Sequence, residues 1–474
     1  MEASAPTYRQ YRRRWIVLAA VCLVNFSNAM TWITYAPVTF QTNDFYGDDN
    51  AATLLNAVFM ICSIPFGFVA MWSVDRFGLR PGCLLGAWVN LLGNLLRVLS
   101  SFQFMSTNAR FGAVLAGQIL AASAQPFIMY LPTKMAACWF SESQRALANT
   151  LASMSNPIGI AAMYSISPAC FNGDLFSSFL LLNGVCAAVA LLTAVVSLAV
   201  TSSKPPTPAS ASAGNEDNTY GFLKDLKAAL TTKPFIILTI ALGGGVGLFN
   251  ALYNNLQPSL CVKGYSSTFS GLMGSLLVLS GLIGSGVSGI YVDKTKKFTE
   301  TMKISFMIAG IAASSLAISF QYEHKEWWVA LSIALFGAFG FAIYPIGLEI
   351  GVETTYPVAE ATSAGLIIMS GQIQGVIYVF LTGAFNRPAT TKDMRLQTCS
   401  SSTDPADVPS WYSSSIAWNV CVIVLILIFV LLFFPKYRRV EYERKKYNVK
   451  RNEGTTETQI QNDLKSTTII QSVD

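Results

Sequence analysis

Residues 15–40 contain no charged side chain, and neither do residues 417–434. A helix needs about 20 predominantly apolar residues to cross the hydrocarbon core of a bilayer. In lipid every backbone polar group must be paired within the protein, so such runs become helices rather than loops or open strands. Comparable runs lie at 51–74, 82–102, 111–137, 146–168, 177–200, 234–258, 267–292, 302–321, 327–352, 360–385 and 413–435, which with 15–40 makes twelve. The composition agrees: 52% of residues are hydrophobic and 12% charged, against about 25% charged in a soluble domain. The expected fold class is an all-α polytopic membrane protein with twelve transmembrane helices.

The Lys and Arg residues near span ends set the expected orientation. Arg12, Arg13, Arg14, Arg76, Arg80, Arg145, Lys204, Lys294, Lys436 and Arg438 fall on one side, while Arg110, Lys263, Arg387 and Lys392 are among the few on the other. Both termini are therefore expected in the cytoplasm. The domain plan is a cytoplasmic N-terminus (1–14), a six-helix bundle (15–200), a cytoplasmic linker (201–233), a second six-helix bundle (234–435) and a cytoplasmic tail (436–474). The linker opens on Lys204-Pro205-Pro206-Thr207-Pro208 and is expected to hold a short amphipathic helix near 220–230. The tail is expected to be largely disordered beyond Tyr447.

The net charge of +6 does not point to nucleic acid, because the basic residues sit at span ends and form no stripe interleaved with aromatics. The 15–40 run is too long for a signal-peptide core and reads as a first span. The sequon Asn25-Phe26-Ser27 lies inside that span and is read as structural. No CxxC pair occurs among the nine cysteines. Cys170, Cys261 and Cys399 fall near the expected outer face, where one disulfide is possible, Cys261–Cys399 being the pair preferred.

The chain repeats itself. Asp75-Arg76-Phe77-Gly78-Leu79-Arg80 follows the second run, and Asp293-Lys294-Thr295-Lys296-Lys297 follows the eighth. The two Asp residues stand 218 positions apart. Arg145-Ala146 leads to Met154-Ser155, and Glu360-Ala361 leads to Met369-Ser370, at an offset of 215. Two six-span halves at nearly one offset are the layout of transporters that rock about a midplane site. The two bundles are thus expected to be related by a pseudo-twofold axis. An Asp at such a turn can face a neighbouring helix N-terminus, and the bases after it can pair with Glu142 or Glu353. Asp75, Arg76, Arg80, Arg145, Asp293, Lys294, Glu349, Glu353 and Glu360 are therefore the candidate gating residues. Plain positive-inside loop charges are the simpler alternative.

These turns resemble the loop motif of the major facilitator superfamily, although Met71 and Leu79 interrupt its first copy. Residues 10–440 resemble more narrowly the solute carrier 49 family, the feline leukaemia virus subgroup C receptor-related proteins. The segments carrying this are Asn28-Ala29-Met30-Thr31-Trp32-Ile33-Thr34-Tyr35, Ala124-Gln125-Pro126-Phe127, Ala137-Cys138-Trp139-Phe140, Ser155-Asn156-Pro157-Ile158-Gly159 and Glu353-Thr354-Thr355-Tyr356-Pro357. The resemblance implies the major facilitator fold and a choline-like or amine substrate. Haem export has also been ascribed to the family. It further implies a binding site at Trp32, Gln125 and Gln372, with Asn250 where relatives carry Tyr and Tyr253 one turn further on as a partial substitute. Plasma membrane is the residence it suggests.

The residues themselves leave alternatives open. Trp32 can line a cavity, pack between helices or face lipid; Asn25, Ser27, Asn28 and Thr34 suggest a polar face on the same helix. A Trp face can hold a quaternary ammonium by cation–π attraction of about 2 kcal/mol or more when desolvated. Gln125, Gln372, Asn156 and Gln374 can serve substrate or hydrogen-bond between helices, and Asn156-Pro157 can mark a kink. Arg97 is expected to snorkel from the outer end of its span. No Asp, Glu or His falls at a midplane position, which favours facilitated diffusion. The expected partners are a small-molecule substrate and the bilayer, with no cofactor and no metal, and the chain is expected to act as a monomer. A haem exporter and a non-transporting receptor or scaffold are the competing readings. The chain carries no phosphate loop, GxSxG turn or HExxH motif, so no enzyme is expected.

Overall fold

The computed structural model describes residues 9–171, 173–209, 221–295, 297–398, 410–435 and 437–438, without the side chains of residues 142, 143, 146 and 293. The tail beyond Tyr447, Cys399 and the Asp293 side chain lie outside what is described.

The first half comprises α1 (Arg14–Ile33), α2 (Thr39–Tyr46), α3 (Ala51–Phe77), α4 (Leu79–Leu99), α5 (Thr107–Met129), α6 (Leu131–Trp139), α7 (Glu142–Ala169) and α8 (Leu175–Ser197). The linker forms α9 (Phe222–Thr231). The second half comprises α10 (Lys233–Cys261), α11 (Ser267–Thr295), α12 (Phe298–Ser319), α13 (Glu326–Thr355), α14 (Glu360–Ala384), the short α15 (Thr391–Leu396) and α16 (Tyr412–Leu432). Eleven described stretches are long and apolar enough to cross a membrane, with α1–α2 and α5–α6 each counting as one. The twelfth span is α7. Asn149, Ser153, Ser155 and Asn156 make it more polar, and it packs between α1 and α11. Leu181, Leu192, Ile283, Ile311 and Leu431 are exposed on the outer faces, as a lipid-bathed surface requires.

Two expected spans are interrupted, both at proline. Pro37 has no N–H to donate to Ile33 O, so α1 stops and a 3₁₀ turn, Ala36–Val38, follows. Other groups cover the carbonyls around the break: Arg97 Nη1 donates to Thr31 O at 3.2 Å and Ser167 Oγ to Thr34 O at 2.9 Å. Pro132 likewise deprives Ile128 O of its helical donor, and Asn25 Nδ2 supplies one at 3.3 Å.

Arg97 corrects a sequence expectation. Instead of snorkelling, it is fully buried inside the first half. Its guanidinium donates to Tyr35 Oη at 3.1 Å, to Asn94 Oδ1 at 3.2 Å and to Asn183 Oδ1 at 3.3 Å, and lies 4.8 Å over the Tyr35 ring. Three spans, the first, α4 and α8, thus meet on one cation. The polar face of α1 belongs largely to the same interior: Asn28 Nδ2 donates to Asn90 Oδ1 at 3.0 Å and Ala121 O at 3.1 Å.

In the second half α10 and α14 approach closely through facing glycines spaced four apart. A Cβ at Gly243 would lie 3.0 Å from Gly371 N, and one at Gly247 2.7 Å from Gly375 N. Small-xxx-small pairs of this kind let membrane helices approach backbone to backbone. Across the halves α7 packs on α11 and α3 on α14, the pairing expected of two related bundles. Cys261 is disulfide-bonded, and Cys170 is a buried thiol.

Removing Arg97 takes one charged donor from each of four buried acceptors, Tyr35 Oη, Thr31 O, Asn94 Oδ1 and Asn183 Oδ1. Arg97→Met is expected to destabilise the protein by about 2–4 kcal/mol, with Arg97→Lys intermediate. Thermal unfolding of the purified chain checks this; a Met variant as stable as wild type would contradict the account.

Candidate substrate-binding site

A chamber of about 1180 Å³ lies between the halves. The first half contributes Asn25, Trp32, Gln125 and Asn156, and the second Asn250, Tyr253 and Gln372. All six residues singled out from the sequence for binding therefore border one space. Trp32 is on the last turn of α1, immediately before the Pro37 break. Its Nε1 donates to Asn56 O at 3.3 Å, which fixes the indole. Its ring meets Tyr253 edge to face, at 6.3 Å and 90°, so an aromatic corner joins the halves. Ser63 Oγ donates to Gln125 Oε1 at 2.7 Å and orients that amide. The close approach of α10 and α14 brings Asn250 Nδ2 to 3.3 Å from where a Cβ on Gly375 would stand.

Two polar groups on the chamber wall have no hydrogen-bond partner among the described residues: Tyr253 Oη and Asn156 Nδ2. A buried group of this kind costs about 1–3 kcal/mol if left unsatisfied, so both are suited to a ligand or solvent. Among the described lining residues there is no Asp, Glu, His, Lys or Arg. Gln374 stands apart. Its Nε2 donates to Ile240 O at 3.1 Å and Ser370 Oγ at 3.0 Å, tying α14 to α10.

The halves also touch each other on either side of the chamber. At one end Tyr164 Oη donates to Tyr253 O, and Ser165 and Ser275 share a hydrogen bond of 2.8 Å. At the other end, where the basic turns lie, Thr362 Oγ1 donates to Asp75 Oδ2 at 2.8 Å, and Lys134 Nζ stands 3.7 Å from Asp75 Oδ1. Thr362 is in the first turn of α14, so the Asp75 carboxylate also faces a helix N-terminus. A second, smaller cavity at this basic end, about 290 Å³, is lined by Arg145 and Asn149 from α7, Glu349 from α13 and Glu360 from α14.

The remaining gating candidates are not brought together there. Arg76 lies over its own helix's Trp72, at 5.6 Å, instead of pairing with a carboxylate. Arg80 is exposed and its backbone N–H donates to Ser203 Oγ at 3.0 Å. Lys294 is exposed. Glu353 is half-buried on the last turn of α13, near Tyr437. Sequence reasoning missed Lys134 and Thr362. Lys134 was legible as a lone charge within the fourth apolar run; nothing marked Thr362.

The linker helix α9 joins this end by packing on α10 and α14. Its Asp225 is 2% exposed. Burial, and then the charge of Asp75, push its carboxyl up to about 6, opposed by a hydrogen bond from the Ala359 backbone N–H.

Long helices in two related bundles, with one chamber between them, are the architecture of a membrane carrier. A family model described as Major Facilitator Superfamily matches residues 18–379. Solute carrier family 49 member A3 of Xenopus tropicalis is 35% identical over 95% of this chain and 93% of its own length. A choline/ethanolamine transporter of Danio rerio, flvcr2a, is 30% identical over 80% of this chain and 82% of its own. The solved structure of the transporter FucP in the outward conformation superposes with a TM-score of 0.63 at 14% identity, covering 89% of this chain and 99% of FucP. The chain belongs to the major facilitator superfamily and, within it, to the solute carrier 49 family.

Because the folded-state value of Asp225 lies above its ordinary 3.8, the folded chain binds more protons than the unfolded one between these values. Stability should therefore fall as pH rises from about 4 to about 6 and level off above. Asp225→Asn is expected to remove that slope and to raise the unfolding temperature at neutral pH. Unfolding temperatures measured across this range test it, and a variant that keeps the wild-type slope would refute the assignment.

Proposed function

We propose that the protein carries a small organic cation or amine across the membrane by alternating access, as a facilitative transporter. The observation that supports this most is the Trp32–Tyr253 corner, set among the neutral amides of Gln125, Asn250 and Gln372. An ammonium can rest against the indole face by cation–π attraction, and amide oxygens complete its shell without a full negative charge. The choline/ethanolamine transporters among its relatives support the same substrate class. Asn250 and the unpaired Tyr253 hydroxyl favour an amine that also offers or accepts a hydrogen bond.

The lining holds no carboxylate or imidazole that titrates near neutral pH, which supports uncoupled movement. Asp75, Lys134 and Thr362 would hold the basic end shut, while Tyr164, Ser165 and Ser275 would hold the other. A ligand that bridges the halves would favour the closed form from either side. The basic end is taken as cytoplasmic and the plasma membrane as the residence.

Uptake of labelled choline and ethanolamine into proteoliposomes tests the reading. Saturable uptake of one of them is expected, unaffected by a pH gradient. Trp32→Ala should lower apparent affinity roughly 30-fold, the equivalent of about 2 kcal/mol, and Trp32→Phe should lose less. Flux of porphyrin but of no amine would favour haem export. A chain that binds amines but moves no solute would be a receptor or scaffold.

A further inference from the structure

The chamber continues beyond the polar corner. It passes between α10 and α13, where Gly245 has open space around its Cα, and enters the second half. There its walls are Phe306 and Ala309 of α12, Phe336 of α13, and Val422, Leu425 and Ile426 of α16. None of these six side chains has a hydrogen-bonding group. Placing a polar ligand group among them would leave it unpaired, at a cost of about 1–3 kcal/mol. Burying an alkyl chain gains about 0.8 kcal/mol per methylene, roughly fourfold in affinity. A bare ammonium head would occupy only the chamber's polar corner.

We infer that the substrate is an amphipathic amine, its nitrogen at the Trp32 corner and an apolar arm lodged between α10, α12, α13 and α16. The inference rests on the amine reading above and adds a second subsite that selects on the length of the apolar arm. Ala309 is the point of control. As the smallest of the six residues it leaves room that a larger side chain would take.

The test uses the full chain in lipid nanodiscs and a series of alkyltrimethylammonium ions from tetramethylammonium to hexyltrimethylammonium, with binding measured by calorimetry. Affinity is expected to rise with each methylene, approaching fourfold per step. Ala309→Phe should flatten that rise while leaving the Kd of tetramethylammonium within about twofold. Val422→Phe fills the arm from another helix and serves if the first variant is unstable. A flat series in the wild-type protein, with tetramethylammonium still bound, would overturn the apolar subsite and leave the amine reading standing. A rise that survives both substitutions would overturn it as well. If no ammonium of any length binds, both readings fall together.

Discussion

The structure depends on pairing every backbone polar group inside a solvent that offers no hydrogen bonds. Most spans meet this with unbroken helix. The two that do not, at Pro37 and Pro132, must find replacement donors, and the protein supplies Arg97 and Ser167 for carbonyls beside one break and Asn25 for the carbonyl freed by the other. One break lines the chamber through Pro132, and the other lies just beyond the lining residue Trp32. Stopping α1 after Ile33 puts Trp32 on its final turn, and the turn between α5 and α6 puts Pro132 in the wall and Lys134 at the basic end. Satisfying these carbonyls and building the site are one arrangement, and the buried guanidinium is held by neutral acceptors of Tyr35, Asn94 and Asn183.

Much of this was legible in the sequence because lipid imposes a single-residue-scale signal: an uncharged run of a given length is a helix. The halves were legible because a turn recurred at a fixed offset. What stayed hidden was the direction side chains take around each helix. Asn28 and Thr34 looked like the polar wall of a chamber, yet Asn28 bonds to α4 and α5 and Thr34 to its own helix. Arg97 looked like an end-of-span cation, yet Tyr35 and Asn183 collect enough acceptors to hold it inside. Burial of polar side chains depends on partners distant in sequence, and single-sequence patterns do not carry them. The same limit explains Asp75. Its position at the turn suggested a gate, whereas its partners, Lys134 and Thr362, come from two other helices.

The repeat does not make the two closures chemically alike. At the basic end a carboxylate, an ammonium and a threonine hydroxyl meet a helix N-terminus. At the other end two tyrosines and two serines meet, and glycine lets them approach: a Cβ at Gly274 would strike the Tyr164 ring at 2.4 Å. Opening the first exposes charges to water, which repays part of the broken interaction and screens the rest. Opening the second exposes neutral groups and apolar surface, with less recovered from solvent. With the gating roles proposed above, the two barriers should respond differently to salt and to pH, and Asp225, whose carboxyl feels the charge of Asp75, adds a titrating group at the basic end.

A chamber without fixed charge suits such a device. A carboxylate at the centre would bind an ammonium tightly, but once the cation left it would be a buried unpaired charge, costly unless a proton replaced it. On the reading proposed above, aromatic faces and amide dipoles avoid that penalty: an empty chamber with no charge among its described lining residues would need no counter-ion, and the unloaded halves would rock without a proton. On the same reading the cost is weaker selection at the head, since an indole face and two amides would distinguish one ammonium from another poorly. On the reading proposed above, selection would then come from the remainder of the ligand, with the discriminating contacts on the walls of α10, α12, α13 and α16 and substrate identity decided more in the second half than in the first.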